Sequence, residues 1–255
     1  MTVELTRRDE FAVITLNRPE ALNALSFDIV GQIGNAIAAA ADTDARDLII
    51  TGAGDRAFSA GADIKELYDR TLAEQKASAH RGQRLFAQLD DIPIASIALI
   101  NGYAFGGGME LALACTYRLA TPSAKVGLPE IKLGLIPGYG GTIRLPRLIG
   151  EGRALELVMT GRTVEAEEAE RIGLVNRIVE GDPMEAAMAY ARDFTCYSLP
   201  VLKLARESVM RALDVPVLEG LKIEADLNTL AFQTEDSAEG MNAFVDKRDA
   251  QFKDR

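Results

Sequence analysis

Two glutamates and two short runs of small residues are the parts of this 255-residue chain best suited to chemistry. Glu110 lies in NGYAFGGGMELALAC (101–115), just past three glycines and directly ahead of the apolar stretch LALAC. Glu130 lies in VGLPEIKLGLIPG (126–138), also among apolar and glycine residues, with Pro129 before it to break regular structure. A carboxylate in dry surroundings needs a partner or a purpose. Two of them can divide acid and base roles, because burial and mutual repulsion change their proton affinities. The plainer reading of Glu110 is an acid that complements a helix dipole, worth about 0.3–1 kcal/mol.

The small-residue runs are SAGAD (59–63) and FGGG (105–108). Each follows a strand-like segment and then starts a helix. Small residues let a ligand approach the backbone, and the first N–H groups of a helix have no internal partner. Two such ends facing each other would hold a developing oxyanion between two N–H donors. The alternative is tight helix–strand packing that tolerates only glycine. His80, the sole histidine, sits in the polar stretch AEQKASAHRGQRLFAQL and reads as a solvated helix residue.

The elements that must position these residues follow from pattern. VELTRRDEFAVITLN predicts two strands joined by a charged turn, Arg7 to Glu10. Ser26 is a candidate N-cap for the helix FDIVGQIGNAIAAAAD. DLIITG (47–52) and PIASIALIN (93–101) read as buried strands, Glu74 to Asp90 as a helix, GMELALAC as a helix and YRLAT as a strand. Ser123 to Leu145 reads as loop-rich. Helices dominate beyond it, with LVNRIV the only later strand signal. An α/β core followed by a helical C-terminal part is expected, divided as 1–195 and 196–255.

Composition narrows the function. Hydrophobic residues make up 48% and charged residues 26%, so a sizeable core is available. The net charge of −10 argues against sequence-independent nucleic-acid binding, which needs a basic footprint. Cys115 and Cys196 belong to no CxxC and no His/Cys cluster, so no metal site is expected, and lone thiols suit a reducing cytosol. No leader pattern opens the sequence, and no apolar run approaches the roughly 20 residues of a membrane span. A cytoplasmic protein is expected.

In combination these stretches resemble the crotonase superfamily, and most closely its enoyl-CoA hydratases. AFSAGADIKEL, ALINGYAFGGGMELALACTYRLA and GLPEIKLGLIPGYGGTIRLPRLIG occur in the superfamily's order. LNRPEALNALS, TGRTVEAEEAERIGLVNRIV and the terminal AFVDKRDAQFKD extend the match over essentially the whole chain. The resemblance implies a spiral core of ββα units with a helical trimerisation region, and a homotrimer or homohexamer. It implies a lyase that adds water to a trans-2-enoyl-CoA, as in fatty-acid β-oxidation, with no cofactor besides the coenzyme A of the substrate.

Carried over by residue, the resemblance makes the N–H groups of Ala62 and Gly107 the oxyanion hole. Glu110 and Glu130 become the catalytic pair and Gly138 a holder of the water. Leu22, Ala24, Ala60, Asp63, Ile64 and Lys65 would meet coenzyme A, with Lys65 either near a phosphate or merely solvated. Gly106, Pro129 and Leu133 would complete the acyl site. Tyr139 departs from the more usual PGAGGT, and either narrows the acyl pocket or points away. The rival expectations are a double-bond isomerase or another acyl-CoA reaction of the same superfamily, and an RNA-binding member of the fold.

Overall fold

The computed structural model describes residues 2–255. The chain divides into two compact units, Met1–Ala189 and Tyr190–Arg255.

The first unit opens with an antiparallel hairpin, β1 (Val3–Arg8) and β2 (Phe11–Leu16). Its turn is shorter than predicted: Arg7 and Arg8 pair with Ala12 and Phe11, so Asp9 and Glu10 alone connect the strands. Both arginines are exposed, on opposite faces of this edge strand, where charge does not oppose strand formation. Helix α1 (Phe27–Ala41) follows, and Ser26 caps it as expected, its Oγ accepting from Ile29 N at 3.2 Å.

A repeated unit then builds the body. Strand β3 (Asp47–Gly52) leads to β4 (Ala57–Ser59) and helix α2 (Leu72–Asp91). Strand β5 (Ala95–Ile100) leads to β6 (Tyr103–Phe105) and helix α3 (Gly107–Ala114). Strand β7 (Tyr117–Ala120) leads to β8 (Lys125–Gly127), a 3-10 turn over Pro129–Leu133 and helix α4 (Gly141–Ile149). Helix α5 (Glu151–Thr160), β9 (Val164–Glu165), α6 (Ala166–Arg171) and β10 (Arg177–Ile178) complete the two sheets, and α7 (Pro183–Thr195) spans the division between the units.

The first strand of each unit joins a six-stranded sheet, ordered β1-β2-β3-β5-β7-β10, and the second joins a four-stranded sheet, ordered β4-β6-β8-β9. From β2 to β10 the large sheet is parallel. Strand β3 is buried along its whole length, and β5 nearly so, as parallel strands covered on both faces must be. The small sheet is the part the sequence hid. Its strands are two or three residues long, too short for an alternation to register, and β8 falls in the stretch that reads as loop-rich. Helix α4 was likewise hidden, because its start lies inside the glycine cluster GYGG.

Helix α2 begins two residues earlier than expected. Thr71 and Glu74 form a capping box, with Thr71 N donating to Glu74 Oε2 at 2.8 Å and Glu74 N to Thr71 Oγ1 at 3.3 Å. His80 is exposed on this helix.

The second unit contains α8 (Leu199–Arg211), α9 (Val217–Ala231) and α10 (Glu235–Asp246). Buried Asp236 ties down the C-terminal segment, accepting from Lys253 N at 2.6 Å and Arg255 N at 3.3 Å. Large apolar side chains on these helices stay exposed, among them Val209, Val217, Leu218 and Phe244.

Candidate active site

Parallel pairing places the site. Strand β4 runs beside β6, and β6 beside β8, all parallel, so the segments leaving their carboxyl ends are neighbours. Those segments are 60–63, 106–110 and 128–130, which hold most of the chemistry-bearing residues predicted from the sequence.

The first two segments meet at the glycines. A Cβ on Gly107 would lie 3.7 Å from Ala62 N, and one on Gly61 would lie 2.9 Å from Phe105 O. Leu25 fixes the orientation of the Ala62 segment through a parallel bridge, with Leu25 N donating to Gly61 O at 2.7 Å and Asp63 N to Leu25 O at 2.9 Å. No acceptor among the described residues takes the N–H of Ala62 or of Gly107. Gly107 begins α3, where such an N–H is orphaned by geometry. Two unused amides therefore stand side by side.

The three glycines serve different ends. Gly106 has φ +50°, a conformation that L side chains rarely adopt. Gly107 contributes the open amide. Gly108 packs against Ser59, where a Cβ would stand 2.7 Å from the serine Cβ. Ligand approach and tight packing, the two readings of the triplet, both apply, at different residues.

Glu110 lies in the first turn of α3 and is 2% exposed. Its Oε1 accepts from Tyr139 N at 2.7 Å and from Gly141 N at 2.8 Å. Burial raises its proton affinity above the ordinary carboxylate value, and the Gly141, Tyr139 and Gly138 N–H groups, with the Arg144 charge, pull only partly against it. This is no surface acid complementing a dipole. The turn holding Glu110 is itself held: Gln83 Nε2 donates to Gly138 O at 3.0 Å, and Arg144 bridges Tyr139 O and Asp90 at 3.4 and 3.1 Å.

Glu130 enters from the 3-10 turn after β8. Its Oε1 comes within 3.0 Å of where a Gly106 Cβ would stand, so it faces the same glycines. Its Oε2 is buried with no hydrogen-bond partner among the described residues. Burial, with the Glu110 charge adding to it, pushes its carboxyl up to about 7. A buried carboxylate oxygen and two amide donors without protein partners are polar groups suited to a polar ligand.

Of the other predicted residues, Leu22 and Ala60 are joined by an Ala60 N to Leu22 O bond of 2.9 Å, with Ala24 between Leu22 and the Leu25 bridge. Asp63 caps the 3-10 turn Ile64–Glu66 and pairs with Arg18 at 3.0 Å, pinning the RPEALNAL loop to the SAGADIK loop. That guanidinium holds the Asp63 carboxyl below its ordinary value. Ile64, Lys65 and Leu133 are exposed, and Pro129 packs against Gly161. The sequence reading picked Gly138 but missed the Tyr139 and Gly141 amides that bind Glu110. The signal available was the glycine-flanked tyrosine of PGYGGT, which frees the backbone around it.

Repeated ββα units whose strand ends converge on paired amides, a buried glutamate and a partly buried one define a crotonase-fold enzyme of acyl thioesters. The chain belongs to the Enoyl-CoA hydratase/isomerase family, which it matches over residues 6–255. It is 40% identical over 251 residues to the crotonyl-CoA hydratase of Syntrophomonas wolfei, covering 97% of this chain and 96% of that one. It is 37% identical over 262 residues to the short-chain-enoyl-CoA hydratase of Clostridium acetobutylicum, covering 99% and 98%. The crystal structure of the enoyl-CoA hydratase from Bacillus anthracis superimposes with a TM-score of 0.94 at 36% identity, covering 100% of both chains.

Proposed function

We infer that this chain is an enoyl-CoA hydratase, adding water across the double bond of a trans-2-enoyl-CoA to give a 3-hydroxyacyl-CoA. The observation that carries the reading is a pair of carboxylates, Glu110 fully buried in the first turn after the glycines and Glu130 with one buried oxygen and the other against Gly106. In the mechanism we propose, the thioester carbonyl seats between the N–H groups of Ala62 and Gly107. As water attacks the β carbon, electrons move onto that oxygen, and donors fixed in advance stabilise the charge when it forms. Glu110 takes a proton from the water, and Glu130, which holds its proton near neutrality, delivers one to the α carbon. Exchange with solvent returns the two carboxyls to their starting states. Because the thioester is the electron sink, the reaction needs no metal or redox cofactor.

The test is loss of the conjugated enoyl absorbance with crotonyl-CoA. Near-normal turnover in both Glu110→Gln and Glu130→Gln would reject this mechanism. Offering 2-enoyl and 3-enoyl thioesters side by side separates hydration from double-bond isomerisation.

We further propose a homotrimer or a pair of trimers, supported by the exposed apolar residues of α8, α9 and α10; a monomeric mass in solution would contradict it. A cytoplasmic role in fatty-acid β-oxidation is consistent with the two free cysteines. No helix among the described residues is long and apolar enough to cross a membrane.

A further inference from the structure

The structure assigns to Tyr139 and Gly82 a joint role as the stop that limits acyl length, an assignment that rests on the hydratase reading above. Tyr139 Cδ2 comes within 3.6 Å of where a Cβ would stand on Gly107, a point 3.7 Å from Ala62 N. One edge of the ring therefore borders the amide pair. The opposite edge lies on Gly82 of α2, where an added methyl would collide with Cδ1 and Cε1 and stand 2.9 Å from Cζ. Phe86, one turn further along α2, meets the ring edge-on with centroids 5.5 Å apart and planes at 82°. The phenol thus bridges the gap from the start of α3 to the middle of α2.

The path of the substrate runs into that ring. The β carbon must sit where Glu110 can deliver water, and Glu110 Oε1 is bonded to Tyr139 N. Carbons beyond the β position therefore begin within a side chain's reach of Tyr139. A smaller residue at 139 would leave the space between Gly107 and Gly82 to the acyl tail; here an aromatic ring occupies it, seated in a notch that only glycine provides. The pair is size-complementary, large at 139 and absent at 82, and each choice requires the other. Short 2-enoyl groups fit in front of the ring, and longer ones meet it.

The experiment measures kcat/KM for crotonyl-, trans-2-hexenoyl- and trans-2-decenoyl-CoA. The native chain should favour crotonyl-CoA over decenoyl-CoA by about tenfold or more, since misfit of even one methylene changes selectivity about 10–200-fold. Tyr139→Ala should raise the decenoyl-to-crotonyl ratio about tenfold, while Tyr139→Phe, which keeps the ring, should retain the native ratio. Gly82→Ala should depress crotonyl turnover by driving the ring from its notch, and Gly82→Ala combined with Tyr139→Ala should recover part of that loss. Binding of butanoyl-CoA and decanoyl-CoA by calorimetry makes the same comparison in any variant that has lost turnover. An unchanged ratio in Tyr139→Ala, or strictly additive effects of the two substitutions, would overturn the assignment while leaving the hydratase reading intact. A native chain that hydrates no enoyl-CoA of any length would reject both.

Discussion

Glu130→Gln removes one proton site from the cavity while nearly keeping its shape, and stability and turnover should then move in opposite directions. The folded chain holds the Glu130 proton to about pH 7, against an ordinary value of 4.5, mainly because burial disfavours the charged form. A carboxyl whose folded value is raised stabilises the fold fully below the unfolded value and loses that contribution as pH rises to the folded one. From about pH 5.5 to about pH 7 the loss is about 1.4 kcal/mol per pH unit, or about 2 kcal/mol. Glu130 is only partly shielded from solvent, so screening reduces this to about 1 kcal/mol. The glutamine variant has no such proton to lose. Unfolding at about pH 5.5 gives the intrinsic cost of the amide, and repeating it at about pH 8 at the same protein concentration isolates the proton. Relative to the native chain, Glu130→Gln should gain about 1 kcal/mol between the two conditions, or about 2–4 °C in Tm for a chain of this size. Turnover of crotonyl-CoA should fall about 10²–10⁴-fold, and the alkaline limb near pH 7 expected in the native kcat/KM profile should be absent from the variant. A stability difference independent of pH, or one that moves against the variant at alkaline pH, would refute the claim that Glu130 is held protonated by its surroundings.

Glu110→Gln should lower kcat by about 10²–10⁴-fold while acyl-CoA still binds, read by stopped-flow hydration beside calorimetry with a saturated thioester. Gly107→Pro removes one amide donor at the first helical position, where proline is tolerated, and should cost about 10²–10³-fold in kcat with little change in Tm. Burial pushes the Cys115 thiol up to about 12, so Cys115 should resist alkylation until the protein unfolds, while exposed Cys196 is labelled in the native state; peptide mass mapping distinguishes them.

The large sheet was legible because its strands are buried on both faces and therefore spelled in unbroken apolar runs, as in DLIITG and ASIALI. The helical end was legible through length and 3.6-residue periodicity. The small sheet was not, since a strand such as KVG has no room to show a period and forms only because its neighbour presents an edge. The glutamates stood out because each is an acid in an apolar context. What holds Glu110 did not, because its partners are main-chain amides, and an amide has no letter in a sequence. Gln83 was equally silent: a glutamine on a polar helix face looks solvated until the turn at Gly138 is brought to it. Tyr139 was visible as an unusual letter, but its direction was decided by a missing side chain 57 positions earlier, at Gly82.

That last contact bears on how such a site can change. The amides of Ala62 and Gly107 are set by the register of β4 against β6 and by the start of α3, so no substitution other than proline removes them, and none re-aims them without disturbing those elements. In the mechanism proposed above, the chemistry that stabilises a thioester enolate is thereby tied to the fold. What can vary more cheaply is what the side chains bring: the carboxyls at 110 and 130, proposed to carry the protons, and the bulk at 139. Removing either carboxylate should abolish water addition while leaving the amide pair able to polarise a thioester. Changing residue 139 alters which acyl groups reach it, but only within what α2 permits at residue 82. On this reading the turn before α4 serves both ends, since its amides hold Glu110 and its Tyr139 ring faces Gly82, so substitutions at 110 and 139 should couple, while those at 130 and 82, which share no bond, should combine more nearly additively.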